Sequence, residues 1–139
     1  MSDIVEILKT LSEAPGISGH EHEVRNIMKD ILTPYADTVT TDGLGSLIAH
    51  IKKDDDLPNV MLSAHMDEVG LMVRYITSDG FIKFQTIGGW LDQAILGQRW
   101  VISTSSGKVS GISGIKTPHV MSVEEKNRVF KKENLFLAV

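Results

Sequence analysis

The stretch "NVMLSAHMDEVG", Asn59 to Gly70, opens as an apolar run and closes on a histidine and two acids. "VMLSA" is nearly all apolar and bounded by turn residues, which reads as a central strand buried on both faces. Side chains alternate along a strand, so Met61, Ser63, His65 and Asp67 share one face if the extended conformation persists. In open α/β sheets, ligands bind just beyond the carboxyl ends of the strands, and His65 stands at that end. A neutral imidazole there can hold zinc or a similar ion through one nitrogen. A nearby carboxylate can take the N–H of the other nitrogen, fixing the tautomer. Asp67 is placed for that role, and Glu68 points away or starts the next element. A lone His-x-Asp triplet is a weak signal, and a histidine at a strand end is more often a structural hydrogen-bonder.

Upstream the texture is helical, then β. Ile4, Ile7, Leu8 and Leu11 fall on one helical face, with Ser2 or Asp3 as cap and "APG" at Ala14 to Gly16 as stop. Ser18 and Glu21 have capping-box spacing ahead of a second helix. Its apolar stripe is Val24, Ile27, Met28, Ile31 and Leu32, and Pro34 ends it. His20 and His22 lie in its first turns and do not share a face, so they read as solvated side chains. "DTVTT" and "LGSLIAHI" flank Asp42-Gly43 as a hairpin, and "KKDDDLPN" is a polar loop. His50 reads as a surface residue at a strand end. Two helices followed by a buried strand predict part of an α/β sheet.

Beyond Gly70 the pattern is β. "LMVRYIT" and "FIKFQTI" flank Ser78-Asp79-Gly80, and "RWVIST" and "KVSGISGI" flank Ser105-Ser106-Gly107, so two hairpins are expected. Gly111 and Gly114 inside a strand predict bulges or sharp curvature, as in a small closed barrel. Ser122 and Glu125 are spaced to cap a short helix, and "LFLAV" is a last apolar run. The predicted fold class is therefore an α/β segment over residues 1–69 followed by a small β-barrel-like domain over 70–139, with the boundary near Val69 to Leu71.

Composition narrows the classes of function. The 139 residues suffice for one domain or two small ones, and 42% apolar content is that of a globular chain. A net charge of -4 with scattered basic residues argues against a nucleic-acid partner. There is no cysteine, so any metal must be held by His, Asp and Glu. The N-terminus does not read as a secretory signal, and no window approaches the ~20 apolar residues of a membrane span. A soluble, cytoplasmic protein without a membrane partner is the expectation.

With these residues in view, the chain resembles the M42 family of metallo-aminopeptidases. "SAHMDEVGLMV" at Ser63 to Val73 resembles that family's metal-ligand segment. "APGISGHEHEVR" at Ala14 to Arg25 is similar to its N-terminal helix junction, and "DGLGSLIA" at Asp42 to Ala49 to its second strand pair. "IGGWLDQAILGQRWVI" at Ile87 to Ile102 and "GISGIKTPHVMSVEEK" at Gly111 to Lys126 resemble its inserted β-domain. The resemblance implies that His65 is a metal ligand and that Asp67, counted as catalytic, orients it. It implies two zinc or cobalt ions per complete site, polarising the scissile carbonyl and activating a bridging water for a glutamate base. In the family the remaining ligands and that base lie downstream of the β-domain. Neither Asp92 nor Glu124 matches a ligand motif, and His119, in "KTPHVMS", reads as a structural or interface residue. The chain is expected to be the N-terminal part of a dinuclear aminopeptidase acting on peptides, inactive alone.

The resemblance also implies homo-oligomers through the β-domain, which leaves a non-catalytic assembly module as the alternative reading. Some members of the family carry the label cellulase or endoglucanase. Glycoside hydrolysis needs two carboxyl groups flanking one bond at ~5–10 Å. Asp67 and Glu68 are adjacent, and adjacent strand residues point to opposite faces.

Overall fold

A computed structural model describes residues 4–52 and 57–139. The expected Ser2 or Asp3 cap and the acidic part of "KKDDDLPN" lie outside the described residues. The chain divides into two compact units, Met1–Glu68 and Val69–Val139.

The first unit holds helices α1 (Ile4–Glu13) and α2 (His22–Leu32) and the antiparallel hairpin of β1 (Thr38–Thr41) with β2 (Leu47–His50). Helix α1 runs along the predicted stripe, yet Ile4 and Leu8 remain exposed and only Ile7 and Leu11 are half-covered. In α2, Val24 is buried and Ile27, Met28, Ile31 and Leu32 are half-buried. Pro34 sits in a 3-10 turn, Thr33–Tyr35, that closes the helix. The hairpin connection is wider than a two-residue turn. Asp42 Oδ1 accepts from Leu44 N (2.9 Å) and Ser46 N (2.8 Å), and the left-handed residue is Gly45 (φ 93°), not Gly43. Arg25 Nη1 donates to Gly45 O at 2.8 Å, tying α2 to this loop.

The predicted central strand is absent. Val60 to Ala64 forms no ladder among the described residues, and Val60, Met61 and Leu62 are 82, 88 and 94% exposed. The apolar run expresses a preference for burial, but a strand also needs a neighbour to complete its backbone hydrogen bonds. The described residues supply none. The expected α/β sheet is thus represented here by two helices and a two-stranded hairpin.

The second unit is one curled antiparallel sheet resembling half a barrel. Strands β3 (Gly70–Ile76) and β4 (Ile82–Ile87) form the first predicted hairpin. Strands β5 (Arg99–Thr104) and β6 (Gly107–Gly114) form the second. The run in "LFLAV" becomes β7 (Phe136–Ala138), which enters between β4 and β6 and gives the order β3-β4-β7-β6-β5. The sheet is open, with β3 and β5 at its edges, and supplies half of the barrel-like domain expected. The register shift lies elsewhere than predicted, in β3 between Val73 and Tyr75, while β6 pairs with β5 without interruption. Gly111 and Gly114 serve close approach instead. A Cβ on Gly111 would lie 3.0 Å from Ile102 Cδ1, and one on Gly114 would lie 3.1 Å from the Phe136 ring.

A short helix, α3 (Asp92–Ile95), precedes β5, and Ile95, Leu135, Leu137 and Ile82 form the core of this unit. Ser113 is the buried polar centre. Its hydroxyl accepts from Gln98 N (3.0 Å) and Trp100 Nε1 (3.1 Å) and donates to the Ile95 carbonyl. Helix α4 (Val123–Lys126) carries the predicted capping box, with Ser122 and Glu125 each bonded to the other's backbone N–H. Among the described residues no helix is long and apolar enough to cross a membrane.

Candidate metal-ligand site

The candidate site lies where the unpaired apolar run meets the loop before α2. Glu68 N donates to Gly16 O at 2.8 Å, and Gly16 N donates back to Glu68 Oε1 at 3.0 Å. Ile17 and Glu68 form an isolated parallel bridge. This staple draws the loop so close that a Cβ on Gly16 would sit 3.1 Å from both Met66 O and Val24 Cγ1. The Ser18 hydroxyl is thereby brought onto Asp67 Oδ2. Ser18 does not cap α2, as its spacing to Glu21 predicts. The helix begins after Glu21 with no side-chain cap, and Glu21 Oε1 accepts from Gly19 N instead.

On the other side of Asp67 lies His65. Its Nδ1 is 3.2 Å from Asp67 Oδ1 and 3.0 Å from Asp67 O. Both neighbours are acceptors, so in the neutral ring the proton sits on Nδ1 and Nε2 is left with its lone pair. The His65 side chain is 86% exposed and that of Asp67 is 41% exposed. The Ser18 hydroxyl is the main cause holding the Asp67 carboxyl below its usual range. Partial desolvation opposes it, and a backbone N–H and the His65 imidazole reinforce it. Asp67 is therefore ionised at neutral pH, an acceptor on both oxygens.

His65 and Asp67 line one side of a broad cavity of about 1120 Å³ in the first unit, with Glu21, Asp42 and His50 also on its walls. His20 lies in the turn before α2, and His22 is the first residue of that helix. His50 ends β2, exposed. In the second unit, His119 is exposed in a 3-10 turn, Pro118–Val120. Asp92 accepts from Lys132 N at 2.9 Å, and Glu124 lies in the first turn of α4.

His65, with its outer nitrogen bare and its inner one engaged, fits a single ligand position. Among the described residues no three His, Asp or Glu side chains gather to hold an ion. A catalytic zinc takes about three protein ligands, so these residues by themselves do not fit a two-metal site. Reading from the sequence missed Ser18 and the Gly16–Glu68 staple. The segment "APGISGHEHEVR" resembles the family's helix junction, but its local spacing points to a helix cap.

Comparison with known proteins places the chain. The family profile described as M42 glutamyl aminopeptidase matches residues 45–139, and a second, described as AMPT, matches residues 4–28. The chain belongs to the M42 glutamyl aminopeptidase family. Among curated relatives, the lysyl aminopeptidase of Pyrococcus furiosus is 41% identical over 116 residues, 83% of this chain and 33% of that protein. Among solved structures, a TET aminopeptidase from a marine sediment Thaumarchaeota archaeon superposes with a TM-score of 0.90 at 42% identity. The match covers 96% of this chain and 37% of that one. The TET1 peptidase of Pyrococcus horikoshii, described as assembling into a tetrahedron or a large octahedral shell, gives 0.84 at 30% identity over 98% and 40% of the two chains. A Thermotoga maritima structure titled endoglucanase gives 0.73 at 35% identity over 94% and 37%. The chain spans about a third of the length of these relatives.

Proposed function

We propose that the chain forms the N-terminal part of a dinuclear, metal-dependent aminopeptidase that removes N-terminal residues from peptides, and that it is inactive alone. The observation that carries this reading is the His65 imidazole, held at Nδ1 by Asp67 with Nε2 bare and exposed. That is the arrangement a metal-ligating histidine requires. In this reading His65 is one ligand, Asp67 fixes its ring, and the other donors and the general base come from outside these residues. The bound metals, zinc or cobalt, would supply Lewis-acid polarisation of the scissile carbonyl and an activated water.

The enzyme in this reading is cytoplasmic and assembles as a homo-oligomer through the β-rich unit. The shells described for the Pyrococcus horikoshii peptidase support the assembly part. Assembly without catalysis has no observation of its own in its favour. Nor does glycoside hydrolysis. Asp67 is engaged by Ser18 and His65, and Glu68 by Gly16, so neither carboxylate is free to flank a glycosidic bond.

The test is hydrolysis of aminoacyl p-nitroanilides with added zinc or cobalt. The chain alone should show no appreciable turnover. A polypeptide completing the site should show turnover that His65→Ala abolishes. Turnover that survives His65→Ala would refute the assignment.

A further inference from the structure

Asp67 could satisfy His65 in more than one rotamer, since the half-exposed carboxylate has two equivalent oxygens and room to turn. What distinguishes this pair is the loop on its far side. The hydroxyl of Ser18 engages Oδ2 while His65 Nδ1 lies against Oδ1. The two oxygens are thus held from opposite sides. The Gly16 staple to Glu68 makes this a built arrangement. It fixes the loop two residues from Ser18, next to Asp67 itself, through two backbone-directed hydrogen bonds. A Cβ on Gly16 would sit 3.1 Å from both Met66 O and Val24 Cγ1, so the loop runs close against them. Ser18 makes no helix cap, so its hydroxyl has no competing local role.

We propose that Ser18 is a positioning residue: through Asp67 it holds the His65 imidazole in the tautomer and orientation that leave Nε2 bare. The inference rests on the reading of His65 as a metal ligand for its purpose, though not for its geometry. Without the Ser18 hydroxyl, Asp67 keeps its charge but loses the contact that sets its rotamer. Nδ1–H then retains only the Asp67 carbonyl as a fixed acceptor, so the preference for the Nδ1–H tautomer weakens and the ring is less firmly oriented.

The experiment is nitrogen-15 NMR of the His65 ring in the full chain and in Ser18→Ala and Ser18→Thr, with and without zinc. The unsubstituted chain should show a dominant Nδ1–H form. Ser18→Ala should lose that dominance, with the two ring-nitrogen shifts moving toward each other, and Ser18→Thr, which keeps a hydroxyl, should restore it. Zinc affinity at His65 should fall roughly 10-fold in Ser18→Ala, the lower end of what loss of an outer partner costs, and recover in Ser18→Thr. Unchanged ring shifts in Ser18→Ala would overturn the proposal, whatever zinc does. A tautomer shift in Ser18→Ala with no zinc response at His65 in any form would uphold the positioning role and overturn the metal reading instead.

Discussion

His65 Nδ1 lies 3.2 Å from Asp67 Oδ1 and 3.0 Å from the Asp67 carbonyl, so one residue supplies both acceptors for the imidazole. The two acceptors are not equivalent under mutation. Asp67→Ala removes the carboxylate and leaves the carbonyl. Asp67→Asn keeps an acceptor and removes the charge. Zinc affinity measured by competition with a chelator should fall ~10–100-fold in Asp67→Ala and less in Asp67→Asn. Equal affinity in all three forms would show that the carboxylate does nothing for His65.

The loop between β1 and β2 gives a test of backbone geometry. Gly45 has φ 93°, and a Cβ there would also meet the Arg25 guanidinium, whereas Gly43 has open space and no left-handed angle. Gly45→Ala should destabilise the first unit by about 1–2 kcal/mol, read from urea denaturation. Gly43→Ala should be close to neutral.

Those two glycines show where local sequence signals run out. Asp42-Gly43 marks the hairpin correctly, because a turn dipeptide between β-rich runs is a short-range signal. Which glycine takes the left-handed angle depends on the Asp42 side chain capping Leu44 and Ser46. The hairpins β3–β4 and β5–β6 were legible for the same short-range reason. The entry of β7 between β4 and β6 was not, since a three-residue strand takes its place from distant partners. The apolar content of Val60 to Ala64 points to a buried strand, but burial needs neighbours that local sequence does not specify. At the site, His65 and Asp67 are two residues apart and visible as a pair. Ser18 is 49 residues from Asp67, and its capping-box spacing to Glu21 points elsewhere.

Ser113 offers a test of the second unit's core. Its hydroxyl receives Gln98 N and Trp100 Nε1 and reaches the Ile95 carbonyl, at 2% exposure. Ser113→Ala leaves these groups without their partner and should cost about 1–3 kcal/mol. Denaturation followed by tryptophan fluorescence reads both the loss of stability and the changed setting of Trp100.

The capping box of α4 predicts a pH dependence. The Glu125 carboxyl is held below its ordinary value of 4.5, first by the Ser122 backbone N–H and then by Lys116, whose Nζ lies 3.3 Å from Oε1. A depressed carboxyl stabilises the folded state above the unfolded value, and that contribution is lost as pH falls through the folded value. Glu125→Gln should therefore lower the denaturation midpoint at pH 7 and converge with the unsubstituted chain as pH falls through the lowered folded value of Glu125. A constant difference across that range would contradict the assignment.

In the proposed reading His65, alone among the five histidines, offers a prepared nitrogen to a metal. Cobalt(II) titration of the nitrogen-15-labelled chain tests it most directly. Paramagnetic broadening should appear first at the His65 ring, with Nε2 affected more than Nδ1, before His20, His22, His50 or His119 respond. Broadening that begins at another histidine and leaves His65 unaffected would contradict it.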